Sequence, residues 1–240
     1  MNQTYGTHSD ICTRFYDLVY DANHVADFVL EKIKPFSPKE GLFIGGMFLI
    51  ANQLISQGIK LTLSDYSDEM IDQGKRRLPN ANFVRADLKS LPFEYQFDSI
   101  FVIGRVFTHM LTDVDATSAL HGLYKSLKSG GFVFFDNYED SKIQKTNYFN
   151  GKVIVADAKT NIVRDSTTKL VSTDPMVVDW SARYSSDENG TLTTFEDQML
   201  HRAFAREEIK KLVEASGLKL ISQGDNFDET SFYTIAAKAL

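Results

Sequence analysis

The sequence predicts an α/β protein in which a seven-stranded, mostly parallel, doubly wound sheet carries an inserted antiparallel β lobe. Three observations lead to this fold class. Short apolar runs alternate with helical patterns in the first part of the chain, as expected for a parallel sheet covered on both faces. The glycine pair Gly45-Gly46 follows the first apolar run. After Asp136 the helical patterns give way to successive β-type segments.

The N-terminal part is predicted to be helical over about residues 14–33, where apolar side chains recur at helical spacing. Pro35 and Pro38 end this helix. Strands and helices then alternate, with helices beginning near Leu49, Ser67 and Asp115. The strands predicted for this part of the parallel sheet are 41–44, 59–63, 82–85, 97–103 and 132–135.

The helix that begins at Asp115 is predicted to end at Leu127, capped by Lys128-Ser129-Gly130-Gly131. Beyond Asp136 we predict β-strands without a helix, and a turn at Glu188-Asn189-Gly190. A helix and two further strands of the main sheet close the chain. These later segments are the lobe strands 152–156, 168–172, 175–184 and 191–200, the helix 206–215, and the strands 218–222 and 232–237. We therefore expect a single domain over 1–240, with an N-terminal helical lid at about 14–35 and an inserted lobe at about 150–200.

Composition excludes several function classes. A net charge of −6 and a pI near 5.4 argue against nonspecific nucleic-acid binding, which needs a basic surface. The single cysteine, Cys12, rules out an internal disulfide. Apolar runs are too short to span a bilayer, and the N-terminal residues are too polar for a signal peptide. We therefore expect a cytoplasmic protein that does not bind membranes.

Asp65 is the strongest candidate for a binding residue. It ends the second predicted strand and lies 20 residues after Gly45. That spacing is typical of an acidic side chain that accepts both ribose hydroxyls of a nucleotide bound at a glycine-rich turn. The alternative is a loop aspartate that caps the next helix, although Ser67 suits that role better.

Asp87 and Leu88 follow the third predicted strand. An aspartate there can accept a hydrogen bond from an exocyclic amine, while the leucine packs on a purine face. Taken alone, such an aspartate more often belongs to a turn.

The order of motifs resembles the class I S-adenosylmethionine-dependent methyltransferases, a family with a Rossmann-like fold. The late antiparallel insertion and the N-terminal segment 14–20 resemble the small-molecule N-methyltransferases more narrowly, including those that act on nucleotide-linked amino sugars and on glycine. The motifs that carry the resemblance are 42–46, 63–70, 84–88, 91–93, 97–100 and 127–131.

This resemblance implies S-adenosylmethionine as the cofactor and a small-molecule methyl acceptor, with an amine favoured over a hydroxyl. Asp65 would hold the adenosine ribose, and Tyr16 would lie on the lid over the sulfonium. The other cofactor-binding residues it implies are Gly45, Gly46, Tyr66, Asp87, Leu88, Ile103 and Gly104.

Methyl transfer from a sulfonium is an in-line displacement, which needs positioning and, for a protonated acceptor, a base. The candidate catalytic residues are His109, Tyr16 and Tyr138, with His201 as a further candidate base. A helix-start histidine is the alternative for His109, and Arg105 in the same segment suits either an anionic acceptor or a surface salt bridge. No spacing typical of metal ligands occurs, so we predict no metal.

The glycine-rich turn departs from the family pattern. Phe43 stands at the usual acidic position, and Met47 and Phe48 follow the two glycines. The departure motivates an alternative hypothesis, a methyltransferase-like binding or regulatory protein with weakened catalysis. A nicotinamide-dependent oxidoreductase shares the turn and the acid but fits the later motifs poorly. A homodimer is possible, because antiparallel lobes of this kind often offer a dimer surface.

Overall fold

The computed structural model describes residues 6–145 and 150–240, which form two β-sheets and their flanking helices. The strands are β1 (Glu40–Ile44), β2 (Lys60–Asp65), β3 (Asn82–Arg85), β4 (Phe97–Val102), β5 (Leu127–Tyr138), β6 (Gly151–Ala156), β7 (Thr160–Thr173), β8 (Met176–Glu188), β9 (Thr191–Arg202), β10 (Lys219–Asp225) and β11 (Ser231–Ala237). The helices are α1 (Ser9–Val19), α2 (Ala22–Ile33), α3 (Phe48–Ser56), α4 (Asp68–Arg77), α5 (Asp113–Ser126), α6 (Asp140–Lys145) and α7 (Arg206–Ala215).

The larger sheet has seven strands in the order β10-β11-β5-β4-β1-β2-β3. Strands β1 to β5 pair in parallel, and β11 is antiparallel to both β5 and β10. The predicted seven-stranded, mostly parallel sheet is thus confirmed. The strand order reverses at β1, which lies between β2 and β4, and ligands of such sheets bind beyond the carboxyl ends of the strands at this switch point.

Side chains of the central strands alternate between two cores. On β1, Leu42 and Ile44 join the core that also contains residues of α5 and α7. Phe43 points to the opposite core, which contains residues of α2 and α3. Helices therefore cover both faces of the sheet, as the near-continuous apolar strand sequences predict.

The second sheet is antiparallel, in the order β6-β7-β8-β9, and corresponds to the predicted lobe. Its last hairpin turns at Asn189-Gly190, where φ is 51° and 86°. Asparagine and glycine are the residues that tolerate positive φ at both turn positions. The predicted turn is therefore present.

Helix α1 lies against both the lobe and the main domain. Its buried Phe15 packs with Tyr184 and Trp180 of the lobe. Arg14 forms an ion pair with Asp157 at the end of β6, and Asp17 forms one with Arg77 of α4. The helix thus joins the two sheets through one apolar face and two ion pairs.

The N-terminal helix differs from the prediction because it is interrupted. Asp21 caps a second helix, its side chain accepting hydrogen bonds from the backbone N–H groups of Asn23 (2.9 Å) and His24 (3.3 Å). An aspartate before a helical pattern is a known start signal, so the sequence contained the information for this break.

Two other predictions of local structure were wrong. Residues 128–131 do not cap α5 but belong to β5, because Gly130 N–H and Gly131 C=O bond to the C-terminal segment at Lys238. A short helix, α6, also follows Tyr138 where we predicted only strands. Among the described residues, no helix is long and apolar enough to cross a membrane.

Candidate active site

The carboxyl ends of β1 and β4 meet at the switch point of the large sheet. Gly45 has a φ of 112°, and its N–H donates to Ser64 C=O (2.9 Å). A Cβ at this position would lie 2.7 Å from Val106 Cγ2 and 3.1 Å from Ile103 C=O. Gly104 also has positive φ (93°). The close approach of the two loops therefore requires glycine at residue 45, and it brings together the predicted glycine turn and the predicted segment 103–104.

Asp65 lies at the end of β2, facing the glycine turn. Its Oδ2 is 4.0 Å from the position that a Cβ would take at Gly46, and its Oδ1 accepts a hydrogen bond from Ser67 N–H (2.9 Å). Burial raises the pKa of Asp65 to about 6, against the lowering effect of backbone N–H groups. Ser67 itself caps α4 through Met70 N–H. The carboxylate is thus placed to accept hydroxyl groups of a ligand at the turn.

The residues predicted to contact the adenine differ in how accessible their side chains are. Tyr66 is 56% exposed beside Asp65, with the Arg85 guanidinium 5.7 Å from its ring centre. Asp87 accepts a hydrogen bond from Lys89 N–H (2.9 Å) and starts a short 3₁₀ helix, the turn role that we left open. Leu88 is buried in the core. Tyr66 and Asp87 therefore remain accessible to a ligand, whereas the Leu88 side chain is committed to packing.

The residues that depart from the family pattern at the glycine turn lie in two different environments. Phe43 and Phe48 are at most 1% exposed and belong to the core. Met47 is half-buried and packs on Gly104, where a Cβ would lie 2.8 Å from Met47 Cγ. An adenosine fits the acceptor groups at Asp65. The methionine end of the cofactor would meet the flexible thioether of Met47 rather than the acid usual in the family.

Seven side chains form a closed ring of contacts near the carboxyl ends of the main strands. Three are half-buried and four are buried. They come from α1 and its C-cap, which belong to the predicted lid, from the loop after β4, from β5 and from the lobe. In order around the ring they are Tyr16, Tyr20, Arg105, Tyr138, His201, Trp180 and Arg164.

The lid contributes Tyr16 and Tyr20, whose rings stack with centroids 6.3 Å apart. Arg105 Nη2 donates a hydrogen bond to Tyr20 Oη (2.7 Å), and its guanidinium lies 5.7 Å from the Tyr138 ring centre. Tyr16 and Tyr20 therefore link α1, through Arg105, to Tyr138 at the end of β5.

The lobe completes the ring. His201 lies 5.5 Å from Tyr138 and 6.2 Å from Trp180, measured between ring centres. Arg164 lies 5.7 Å from the Trp180 ring centre, and its Nη1 donates to Tyr16 Oη at 3.5 Å. Closing this ring requires the lid, the main sheet and the lobe together.

Arg105 is held by a buried polar network. Its Nη1 donates to Asp228 Oδ2 (2.6 Å), and its backbone N–H donates to Asp136 Oδ1 (2.6 Å). Asn226 Nδ2 and Gly104 N–H donate to Asp136 Oδ2 at 3.1 and 3.3 Å. Burial raises the pKa of Asp136 to about 6, although Arg105 opposes the shift. Asp228 neutralises Arg105 in a buried ion pair, whereas the alternative raised from the sequence was a surface salt bridge.

His109 lies beside the ring, with its imidazole centre 5.3 Å from that of His201. Its side chain is exposed, yet desolvation by the surrounding protein lowers its pKa to about 4. A hydrogen bond to Leu200 C=O opposes this shift. With one nitrogen donating to Leu200 C=O, the second nitrogen is left as an acceptor, because a neutral imidazole donates through one nitrogen only.

The structure brings the predicted Tyr16 and Tyr138 together in the ring, with His109 at its side. Sequence reasoning missed Arg164, Trp180 and Asp228. Trp180 is only 3% exposed. Side chains of β8 alternate between buried and exposed, so a period-2 pattern along this strand was a usable signal that Trp180 points inward. No local signal marks Asp228, which reaches Arg105 from the loop between β10 and β11. No group of side chains suited to a metal ion occurs in the described part of the chain.

The fold and the position of the site resemble those of the class I methyltransferases. Residues 45–131 match a family model described as a methyltransferase domain. This match confirms the predicted resemblance and the predicted enzyme class, whose cofactor is S-adenosylmethionine. A search among curated proteins found no match.

Solved structures share the whole fold. DesVI of Streptomyces venezuelae superposes with a TM-score of 0.82 at 15% identity, covering 98% of this chain and 99% of its own. The sugar N-methyltransferase KedS8 of Streptoalloteichus gives 0.82 at 14% identity, covering 100% and 96%. CalS10, an amino pentose methyltransferase from Micromonospora echinaspora with bound S-adenosylmethionine, gives 0.79 at 14% identity over 100% of both chains. At these identities the likeness establishes the Rossmann-like fold with its lobe.

Proposed function

We propose that this chain transfers a methyl group from S-adenosylmethionine to a small-molecule amine by in-line displacement. The observation that carries the proposal is the closed ring of side chains beside the switch point, with neutral His109 at its edge. An aromatic, largely desolvated enclosure suits a small acceptor better than a macromolecule.

Several residues of the crevice fit the cofactor. Asp65 would accept hydrogen bonds from the ribose hydroxyls, and Tyr66 would flank the adenine. Asp87 would accept from its amine. The backbone at 45–46 and 103–104 would border the methionine part, where positive φ lets the chain approach closely. When bound, the cofactor supplies an electrophilic methyl group on a sulfonium.

The ring residues would position the acceptor. The unprotonated nitrogen of His109 accepts a hydrogen bond from the amine and orients its lone pair, and Tyr16 covers it from the lid. Burial raises the pKa of Tyr138, so its hydroxyl stays protonated and acts as a positioning group rather than a base. Positioning of this kind supplies up to about 7–11 kcal/mol of the barrier reduction.

The wider organisation stays a prediction from the sequence. We infer a single domain in which α1 and α2 act as a lid and the antiparallel sheet, β6 to β9, selects the acceptor. A cytoplasmic location and a homodimer are likewise inferred.

Calorimetric titration with S-adenosylhomocysteine, followed by a product-release assay on a panel of small amines, tests the proposal. We expect saturable binding and turnover with at least one amine. Binding without turnover on any amine or alcohol would favour the binding-protein alternative. Absence of binding would refute the proposal, and fluorescence quenching by NADH instead would favour an oxidoreductase.

A further inference from the structure

Arg164 is the one cation of the ring that comes from the lobe. It lies on β7, and its guanidinium carbon is 4.7 Å from the ring centre of Phe15, 6.0 Å from that of Tyr16 and 5.7 Å from that of Trp180. Three aromatic faces therefore surround it on the side of the lid and the lobe. Such faces attract a cation but leave its hydrogen-bonding capacity largely unused.

No carboxylate neutralises Arg164. Among residues 6–145 and 150–240 it forms no ion pair, and its buried Nε has no hydrogen-bond partner. Of the neighbouring acids, Asp157 pairs with Arg14 and Asp165 with Lys152. Asp197 acts on Cys12 and Tyr184, as Arg164 does, but forms no ion pair with Arg164. Residues 1–5 and 146–149 contain no aspartate or glutamate, so no such partner can come from them.

The other arginine of the ring behaves differently. Arg105 has Asp228 at 2.6 Å and is neutralised within the protein. A half-buried charge without a counter-ion is costly to maintain, and a guanidinium fork matches carboxylate and phosphate oxygens in pairs. Arg164 interacts with the hydroxyls of Tyr16 and Tyr184, but no carboxylate of the described residues lies within ion-pair distance to compensate its charge.

We propose that Arg164 binds an anionic group, a carboxylate or a phosphate, of the methyl acceptor. This inference rests on the proposed function, because Tyr16 and Trp180 connect Arg164 with the lid and with His201. The anion would be held on the lobe side of the ring while the amine is held near His109. Arg164 is thus a specificity-determining residue.

The chain offers an intrinsic probe for this site. Trp180 is its only tryptophan and lies directly beside Arg164. We expect inorganic phosphate or acetate to change the tryptophan fluorescence saturably, whereas chloride at equal ionic strength does not. The two anions distinguish a phosphate-binding from a carboxylate-binding site. Indistinguishable responses to all three salts would overturn the proposal.

Variants of Arg164 distinguish anion binding from a purely structural role, in which Arg164 only holds α1 against the lobe (a clamp). Arg164→Gln should abolish the saturable response, and Arg164→Lys should retain it with weaker affinity, because lysine keeps the charge without the fork. Arg183→Gln, which removes an exposed arginine from the adjacent strand β8, is the matched control and should respond like the wild type. Circular dichroism verifies the fold of each variant. An unchanged response in folded Arg164→Gln would also overturn the proposal.

Turnover gives an independent readout. Amines are compared in matched pairs, glucosamine 6-phosphate with glucosamine and glycine with glycinamide. For a pair that is turned over, Arg164→Gln should lower kcat/KM for the anionic member about 10–100-fold more than for the neutral member. Equal losses for both members would indicate a clamp and refute anion recognition. Anion titrations need no cofactor, so failure of cofactor binding would overturn the proposed function and leave this test intact.

Discussion

Asp65 combines two opposing requirements in one side chain. Ligand hydroxyls need an ionised carboxylate, but burial raises the pKa of this group to about 6. A carboxyl whose pKa is higher in the folded state binds more protons there, so its contribution to stability falls as pH rises through 6. At neutral pH the folded protein therefore holds a carboxylate that destabilises it, and the binding role proposed for Asp65 would account for that cost.

Asp65→Asn should consequently stabilise the free protein and weaken cofactor binding. We expect the free energy of unfolding at pH 8 to rise by about 1–2 kcal/mol, since the buried negative charge is removed. Affinity for S-adenosylhomocysteine should fall roughly tenfold or more. Urea denaturation and calorimetry measure both, with Asp72→Asn on the exposed face of α4 as the control. A variant that binds as tightly as the wild type would contradict the assignment of Asp65.

His109 illustrates how environment decides a residue's role. With a pKa near 4 it stays neutral at physiological pH and is too weak a base to remove a proton from an ammonium group. Its role in the proposed reaction is to accept a hydrogen bond, and the amine must arrive deprotonated.

At saturating S-adenosylmethionine the expected kcat/KM for the amine therefore rises with pH toward the pKa of the amine, without a break near 6.5 that depends on His109. His109→Gln should lower kcat about tenfold at every pH, because an amide oxygen still accepts a hydrogen bond. Steady-state kinetics between pH 5 and 9 check this. A wild-type inflection near 6.5 that the variant lacks would instead identify His109 as a general base.

The lid is held at several points of different strength. Its ion pairs to Asp157 and Arg77 are partly exposed, and pairs of that kind contribute little. The hydrogen bond from Arg105 to Tyr20 is largely buried and charge-assisted. Tyr20, at the break between α1 and α2, is therefore the strongest polar attachment of these helices to the sheet, beside their apolar packing.

Tyr20→Phe should loosen the lid while leaving the fold intact. We expect a loss of about 1–2 kcal/mol in the free energy of unfolding and faster amide hydrogen exchange in α1 and α2. Tyr95→Phe, at a side chain 64% exposed, is the matched control and should change neither. Exchange rates in α1 equal to those of the wild type would show that the ion pairs hold the lid.

For the molecule as a whole, desolvation shifts the pKa of titratable groups of opposite sign in and near the candidate site. Burial raises the pKa of Asp65 and Asp136 to about 6 and lowers the pKa of His109 and His201. The carboxyls add stability as pH falls through 6. The histidines contribute stability that is present above pH 6.5 and lost as pH falls below it, because the unfolded chain then binds protons that the folded chain excludes.

Replacing His201 should reveal how the buried carboxyls change the free energy of unfolding with pH. Relative to the wild type, His201→Asn should gain about 1–2 kcal/mol of unfolding free energy between pH 7 and pH 5. Urea denaturation at several pH values measures the difference, and His121→Asn on α5 serves as the control. Parallel pH profiles for His201→Asn and the wild type would contradict a neutral buried His201.

The sequence predicted most elements of the main sheet, because each strand has its own apolar run and each turn its own glycine or cap. Residues 128–131 escaped prediction, since two glycines after a helix indicate a cap locally, whereas here a distant strand recruits them. The crevice around Asp65 was predictable from spacing along the chain. The ring was predictable only in part, because Arg164 and Trp180 enter it through the register of the lobe strands.

By itself, the sequence determined the fold class through short-range periodicity, and its ordered motifs indicated the class of enzyme. The nucleotide site at Asp65 stays a prediction from a fixed spacing. Only the tertiary structure decided which charges are neutralised. Arg105 and Arg164 look alike in sequence, but Asp228 reaches the first across more than a hundred residues of chain and no carboxylate reaches the second. Charge compensation depends on distances in space, and the chain order does not contain them.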